Sequence, residues 1–257
     1  MHHHHISELE SHYSTARDPT SAEVVLEGFH AIKHALRFGV VPHSVVSWDL
    51  NAIELLAAEL APDVSEALTR SVTEISKDHL ARLAPRAPNS PMLGIGPRRR
   101  ADLPTMFAPK PRQHIVLLED PRHTGNVGAV IRVAAAAEAA GVVTVGEMDP
   151  WSAPVLRGAA GLHYAISVGS VAHLDEIPRQ PRPLVALDPD GKTLRPDEIA
   201  PHAVLMFGTE RHGLSQASRD RATATFSLPM RPGVSSLNLA TAVSAALFIL
   251  RSSQQQT

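Results

Sequence analysis

LPMRPGVSSLNLATAVSAALFIL, residues Leu228–Leu250, is the stretch whose reading decides the architecture of the chain. It gives the end of a short strand, a Pro and Gly turn, a polar cluster, and then a long Ala-rich helix. In that helix Val243, Ala246, Leu247 and Leu250 recur at helical spacing. Ser235, Ser236 and Asn238 are all good capping residues, because each side-chain oxygen can accept from an otherwise unpaired N–H of the first turn. One cap is enough for a helix. Three polar side chains against a positive helix end, after a turn that permits close backbone approach, also form a seat for a phosphate, a carboxylate or a ribose. On this stretch alone the two readings stand side by side.

Working outward, apolar runs of strand length alternate with helical or turn segments at Ile115–Leu118, Val142–Val145, Ala165–Val168, Leu184–Leu187 and Val204–Phe207. That alternation predicts an α/β domain on a parallel sheet, which ordinary topology rules would leave open and unknotted. Two more segments within it carry chemistry: EDPRHTGNVGAVIRVAAAAEAAG, Glu119–Gly141, and LMFGTERHGLS, Leu205–Ser215. Asn126, at the start of the first helix, caps it or holds a phosphate or ribose; Arg132, six residues on, is a phosphate clamp or a surface ion pair. Glu210 follows a strand and Gly208, where α/β proteins keep ligand contacts; the alternative is an acid balancing a helix dipole. GNVG lies between strand and helix as a phosphate loop would, but it lacks the third glycine of a dinucleotide fingerprint and the G-K-S/T of a P-loop. A nucleotide-binding enzyme is therefore the weaker alternative.

Before this domain the polar residues 1–21 carry no periodicity and are expected to be unstructured; MHHHH looks like part of a purification tag, with a native metal-collecting start as the alternative. Residues 22–96 predict a small α/β unit: strand Val24–Leu26, helix His30–Phe38 stopped by Gly39, strand Val45–Trp48, helix Ile53–Leu60, strand Ser71–Glu74 and helix Lys77–Leu83. In residues 97–113, Pro97, Pro104, Pro109 and Pro111 forbid helix or central strand and predict an extended linker before the second domain, 114–257. Within it Arg98, Arg99, Arg100, Lys110 and Arg112 face only Asp102, which suits a phosphate backbone or a solvated hinge.

The 257 residues, 44% hydrophobic, suffice for two cores, and a net charge of -2 argues against a protein that coats nucleic acid unspecifically. With no cysteine, a disulfide framework and a thiolate nucleophile are excluded, which fits a reducing cytoplasm. No apolar run reaches membrane-spanning length and no signal peptide is expected. The scattered His123, His163, His202 and His212 match no metal-ligand spacing, so no metal is expected.

Taken together and in this order, the three segments resemble the signature motifs of the SpoU (TrmH) family of RNA 2'-O-ribose methyltransferases, of the SPOUT class. D-P-x-x-x-G-N-x-G-A-x-x-R, F-G-x-E-x-x-G-L-S and P-M-x-x-x-V-x-S-L-N are each matched without a gap, across Ile115–Leu250, about half of the chain. VLRGAAGLHYAISV, Val155–Val168, is similar to the family's stretch between the first two motifs, and VLEGFHAIKHALRFG with SVVSWD looks like its substrate-binding domain of ribosomal protein L30e type. The resemblance implies a carboxyl-terminal SPOUT-type parallel sheet whose last helix threads a loop in a deep trefoil knot. The knot holds S-adenosylmethionine in a bent shape.

By the same resemblance Gly208, Leu228 and Leu237 bind the donor through main chain, and Leu187 and Met230 line its adenine pocket. Arg132 is implied at the ribose, as a phosphate clamp first and a proton acceptor second, since a guanidinium is a poor base. Glu210 orients the polar groups, while Ser236 and Asn238 hold the active-site loop and the acceptor ribose. The implied species is a homodimer without metal acting on structured RNA, with 23S ribosomal RNA preferred over transfer RNA. Two departures stand out: Arg122, His123 and Thr124 replace the usual Asn or Gln and apolar residue, and AAAAEAAG replaces an aromatic-bearing turn after the arginine. A non-catalytic RNA-binding protein of the same fold is the other alternative, against which the complete set of polar motif residues argues.

Overall fold

The computed structural model describes residues 2–84, 86, 88–108, 113–178, 181–209 and 211–254, with side chains from Ser7 to Ser253. Glu210, Lys110 and Arg112, singled out above, lie outside the described residues. The chain divides into two compact units. One comprises residues 1–99 with 151–165, and the other 100–150 with 166–257.

The first unit runs α1 (His2–Thr15), β1 (Glu23–Glu27), α2 (Phe29–Arg37), β2 (Ser44–Ser47), α3 (Leu50–Leu60), α4 (Ser65–Ser71), β3 (Val72–Glu74), α5 (Lys77–Leu83) and β4 (Met92–Pro97). Its sheet has the order β1-β4-β2-β3, antiparallel except between β2 and β3. The amino-terminal stretch corrects the expectation. Leu9, Tyr13 and Ala16, spaced i, i+4 and i+7, give α1 an apolar edge that packs with Val25, Leu80, Leu83, Leu93 and Ile95, and Tyr13 is fully buried. Arg17 then extends its guanidinium to the carbonyls of Tyr13 and Leu83, tying the segment after α1 to α5.

Residues 151–165 complete this unit. Their helix, α8 (Ala153–Gly158), packs on β1, where Arg157 pairs with the buried Glu27 carboxylate. Nearby, His34 Nδ1 donates to Ala160 O at 2.7 Å and Tyr164 Oη to Pro97 O at 3.0 Å. Gly161 has φ 74°, and a Cβ there would lie 2.7 Å from the Ala31 backbone, so the seat admits only glycine.

The second unit begins with α6 (Leu103–Phe107), a helix where an extended linker was expected. Pro104 sits in its first turn, where the missing N–H is not needed, and Met106 and Phe107 bury themselves in the core. Then come β5 (Ile115–Glu119), α7 (Thr124–Ala136), β6 (Gly141–Val145), β7 (Ser167–Val171), β8 (Leu184–Thr193), β9 (Val204–Phe207), α9 (Gln216–Arg221), β10 (Ala224–Ser227) and α10 (Leu239–Gln254). Four of the five expected strands lie where expected, and the one expected at Ala165–Val168 starts two residues later, at Ser167. With β10 they form one six-stranded parallel sheet, order β10-β8-β9-β5-β6-β7. Buried residues run without alternation along Ile115–Leu118 of β5 and all of β9, which read as unbroken apolar runs, and along β6, interrupted by the buried Thr144. α7 packs along α10, with Glu138 and Arg251 paired at 2.9 Å. Among the described residues no helix is long and apolar enough to cross a membrane.

A buried arginine closes this unit at its start. Arg182, 3% exposed, donates to Phe107 O (3.3 Å), Ala108 O (2.9 Å), Gln113 O (2.6 Å) and His202 O (2.9 Å). Beside it His114 is buried, and burial, followed by the Arg182 charge, depresses its pKa from 6.5 to about 4. The folded state thus favours neutral imidazole. Its contribution is complete above pH 6.5 and is lost as pH falls from there towards 4. Urea denaturation is expected to show stability dropping by about 2 kcal/mol between pH 7.5 and pH 5 through this residue, at about 1.4 kcal/mol per pH unit. His114→Gln should remove that part of the slope.

Candidate functional site

Strand β8 leaves its ladder where the site begins. It pairs with β10 at Val185↔Ala224 and Ala186↔Thr225, then resumes only at Lys192↔Phe226. Leu187–Gly191 thereby have no ladder partner and bulge within the strand, and Gly191 lies so close to β10 that a Cβ would be 2.6 Å from Phe226 backbone. The bulged residues Leu187, Asp188 and Pro189 line a cavity of about 350 Å³.

Two other segments complete the wall. After β9 come Phe207, Gly208 and Thr209, and after β10 come Leu228, Met230 and Ser235–Leu237, with Leu239 and Ala242 of α10. The five residues expected to contact a donor, Leu187, Gly208, Leu228, Met230 and Leu237, therefore line one cavity. Apolar walls with exposed backbone edges suit a flat heteroaromatic ring, and the volume suits a small ligand.

The turn after β9 is closed on itself. Thr209 N donates to Gly213 O and Gly213 N to Thr209 O, both at 3.0 Å, and His212 N donates to Thr209 Oγ1 at 3.0 Å. A Cβ on Gly208 would lie 1.9 Å from the Gly213 carbonyl carbon, so the crossing requires glycine. The turn is fastened by Ser215, whose N–H and Oγ–H reach the two oxygens of Glu119 at 2.8 and 2.6 Å. Ser215 also caps α9 by accepting from Ser218 N. Glu119 ends β5, so one carboxylate joins the first motif to the second.

Asn238 resolves the question of the polar cluster. Its Oδ1 accepts from Ala240 N at 3.0 Å and Thr241 N at 3.4 Å, capping α10, and its Nδ2 donates to Asn126 Oδ1 at 3.1 Å. One side chain thus caps a helix and reaches across to the first turn of α7. Ser235 and Ser236 line the cavity instead. Arg132 lies on the exposed face of α7, with no hydrogen bond or ion pair among the described residues. Arg122, one of the departures from the family pattern, is paired with Asp120 at 2.5 Å. Asp120 has φ 45°, a left-handed conformation that aspartate tolerates.

Sequence reasoning missed Glu119, Asp188 and Arg219. Asp188, 6% exposed, accepts from Arg219 Nε at 3.1 Å and Nη2 at 3.0 Å. Its signal was an acid directly after an apolar strand, followed by Pro and Gly.

Residues 113–248 match the SpoU rRNA Methylase family. An uncharacterized tRNA/rRNA methyltransferase of Synechocystis is 32% identical over 57% of this chain and 55% of its own. The 23S rRNA (uridine(2479)-2'-O)-methyltransferase of Streptomyces viridochromogenes is 33% identical over 52% of this chain and 50% of its own. The chain thus spans about half the length of these relatives. The crystal structure of an AdoMet-bound rRNA methyltransferase from Sinorhizobium meliloti matches with a TM-score of 0.75 and 26% identity, over 96% of this chain and 94% of that one.

Gly208→Ala is expected to push the Gly213 end of the turn aside, lowering stability by about 1–3 kcal/mol. Chemical denaturation measures the loss, and a Thr209→Ala control should cost less.

Proposed function

As the chain belongs to the SpoU rRNA methylase family, we propose that it transfers a methyl group from S-adenosylmethionine to a ribose 2'-hydroxyl of ribosomal RNA. The observation that carries this reading is that the second and third motif segments line one cavity with Leu187–Pro189, while the Asn126–Asn238 bridge ties the first motif to the third. The Streptomyces relative is named for 2'-O-methylation of 23S rRNA, and the Sinorhizobium structure is described as AdoMet-bound. Both support the choice of donor and acceptor.

When bound, S-adenosylmethionine supplies an electrophilic methyl group that a ribose oxygen takes in line as the carbon–sulfur bond breaks. The protein has to align and exclude water, and alignment alone is worth on the order of several kcal/mol. Gly208, Leu228 and Leu237 hold the donor by backbone, and Leu187 and Met230 enclose its adenine. Asn126, Ser236 and Asn238 hold the loop and the acceptor ribose. Arg132 clamps an incoming phosphate in this reading, which its exposure and lack of a partner among the described residues support. In this reading Glu210 orients these groups, and the hydroxyl proton leaves towards Arg132 or solvent.

The reading extends to the whole chain. Residues 22–96 act as an L30e-like unit that grips folded RNA by shape, and the basic residues Arg98–Arg100 meet its backbone. The last helix threads the preceding loop as a knot, and two copies pair through α7 and α10, where Phe248 is 43% exposed. The protein works in the cytoplasm, without metal.

Incubation with tritiated donor and ribosomal RNA should yield a ribose 2'-O-methyl product, and Arg132→Ala should lower its rate by about a hundredfold with folding unchanged. A base-methyl product, or an unchanged rate with Arg132→Ala, would overturn the ribose mechanism. A transfer RNA site would overturn only the choice of target, and donor binding without transfer would favour the RNA-binding alternative.

A further inference from the structure

Among the described residues the Asp188 carboxylate has one acceptor position left, and Asp188 is part of a cavity wall. A carboxylate offers roughly four lone-pair sites. Oδ1 accepts from Asp190 N at 3.1 Å, and Oδ2 accepts twice, from Arg219 Nε at 3.1 Å and Nη2 at 3.0 Å. What remains is on Oδ1. The side chain is 5% exposed, yet Asp188 lines the cavity, because the register jump between Ala186 and Lys192 turns this part of β8 out of the ladder.

Charge decides what that site suits. Arg219 already neutralises the carboxylate, so the wall presents a strong hydrogen-bond acceptor with little net field. A neutral hydroxyl fits such a site better than an ammonium group, which would leave the arginine charge uncompensated. Position agrees with charge. Asp188 adjoins Leu187, part of the apolar wall assigned to adenine, and an acid at the carboxyl end of a parallel strand is a general means of holding a nucleoside ribose. We propose that Asp188 accepts a hydrogen bond from a ribose hydroxyl of the methyl donor's adenosine, so that it reads the donor's sugar while Arg219 holds it in place. The assignment rests on the cavity being the donor site.

Calorimetry with S-adenosylhomocysteine and its 2'-deoxy and 3'-deoxy forms tests this without turnover. The wild-type protein is expected to bind one deoxy form at least tenfold more weakly than the parent. Asp188→Ala should weaken the parent by a similar factor and bind parent and deoxy forms within twofold of each other. Arg219→Lys, which keeps a cation beside the acceptor, should keep the discrimination. Equal wild-type affinity for all three ligands overturns the inference even if Asp188→Ala fails to fold, as does full discrimination in Asp188→Ala. No wild-type binding of the parent ligand would sink the donor-site reading itself, and this assignment with it.

Discussion

The site depends on one carboxylate at the end of one strand. Glu119 receives both the N–H and the hydroxyl of Ser215, and so fixes the turn after β9 to the end of β5, its neighbour in the sheet. Two charge-assisted hydrogen bonds to the same residue set orientation as well as distance. Because Ser215 also caps α9, the turn, the helix and the strand end move as one piece. The doubly bonded Thr209–Gly213 turn would otherwise be a free loop on a two-glycine hinge.

A second carboxylate does the same from the other side. Asp188 takes Arg219 from α9, and Arg221 from the same helix reaches Leu174 O and Ile177 O, the latter at 3.1 Å. A helix of six residues has too few internal hydrogen bonds to hold its own position, so these links anchor it. The arrangement puts rigid support behind a wall made largely of backbone and apolar side chains, where a bound ring finds few polar side chains to orient it.

The parallel sheet was legible because strands covered on both faces leave continuous apolar runs, as at Val204–Phe207. The cavity residues were legible only through gapless motifs; nothing in the periodicity of Leu228 or Leu237 sets them apart from core leucines. What escaped was of two kinds. Leu9, Tyr13 and Ala16 make too brief a pattern to stand out in a polar segment, and only the packing partners Leu80, Leu83 and Leu93 give it meaning. The polar ties Glu119–Ser215 and Asp188–Arg219 join residues 96 and 31 positions apart, and a single sequence carries no mark of such pairs. The end of β8 escaped too, since a register jump is a relation between two strands rather than a property of either.

The helix α8 excursion has a consequence for how the molecule comes apart. The chain passes between the two units at 99–100, again at 150–151 and again at 165–166. A protease cutting once between β4 and β5 would leave the residues before the cut without a covalent link to the rest, held by their packing against residues 151–165 of the same unit. The first unit likewise cannot be lifted out as a single gene segment, since its glycine seat at Gly161 and its buried ion pair to Glu27 are encoded downstream of β6. An exchange of this unit between relatives would have to carry two separated stretches of sequence together.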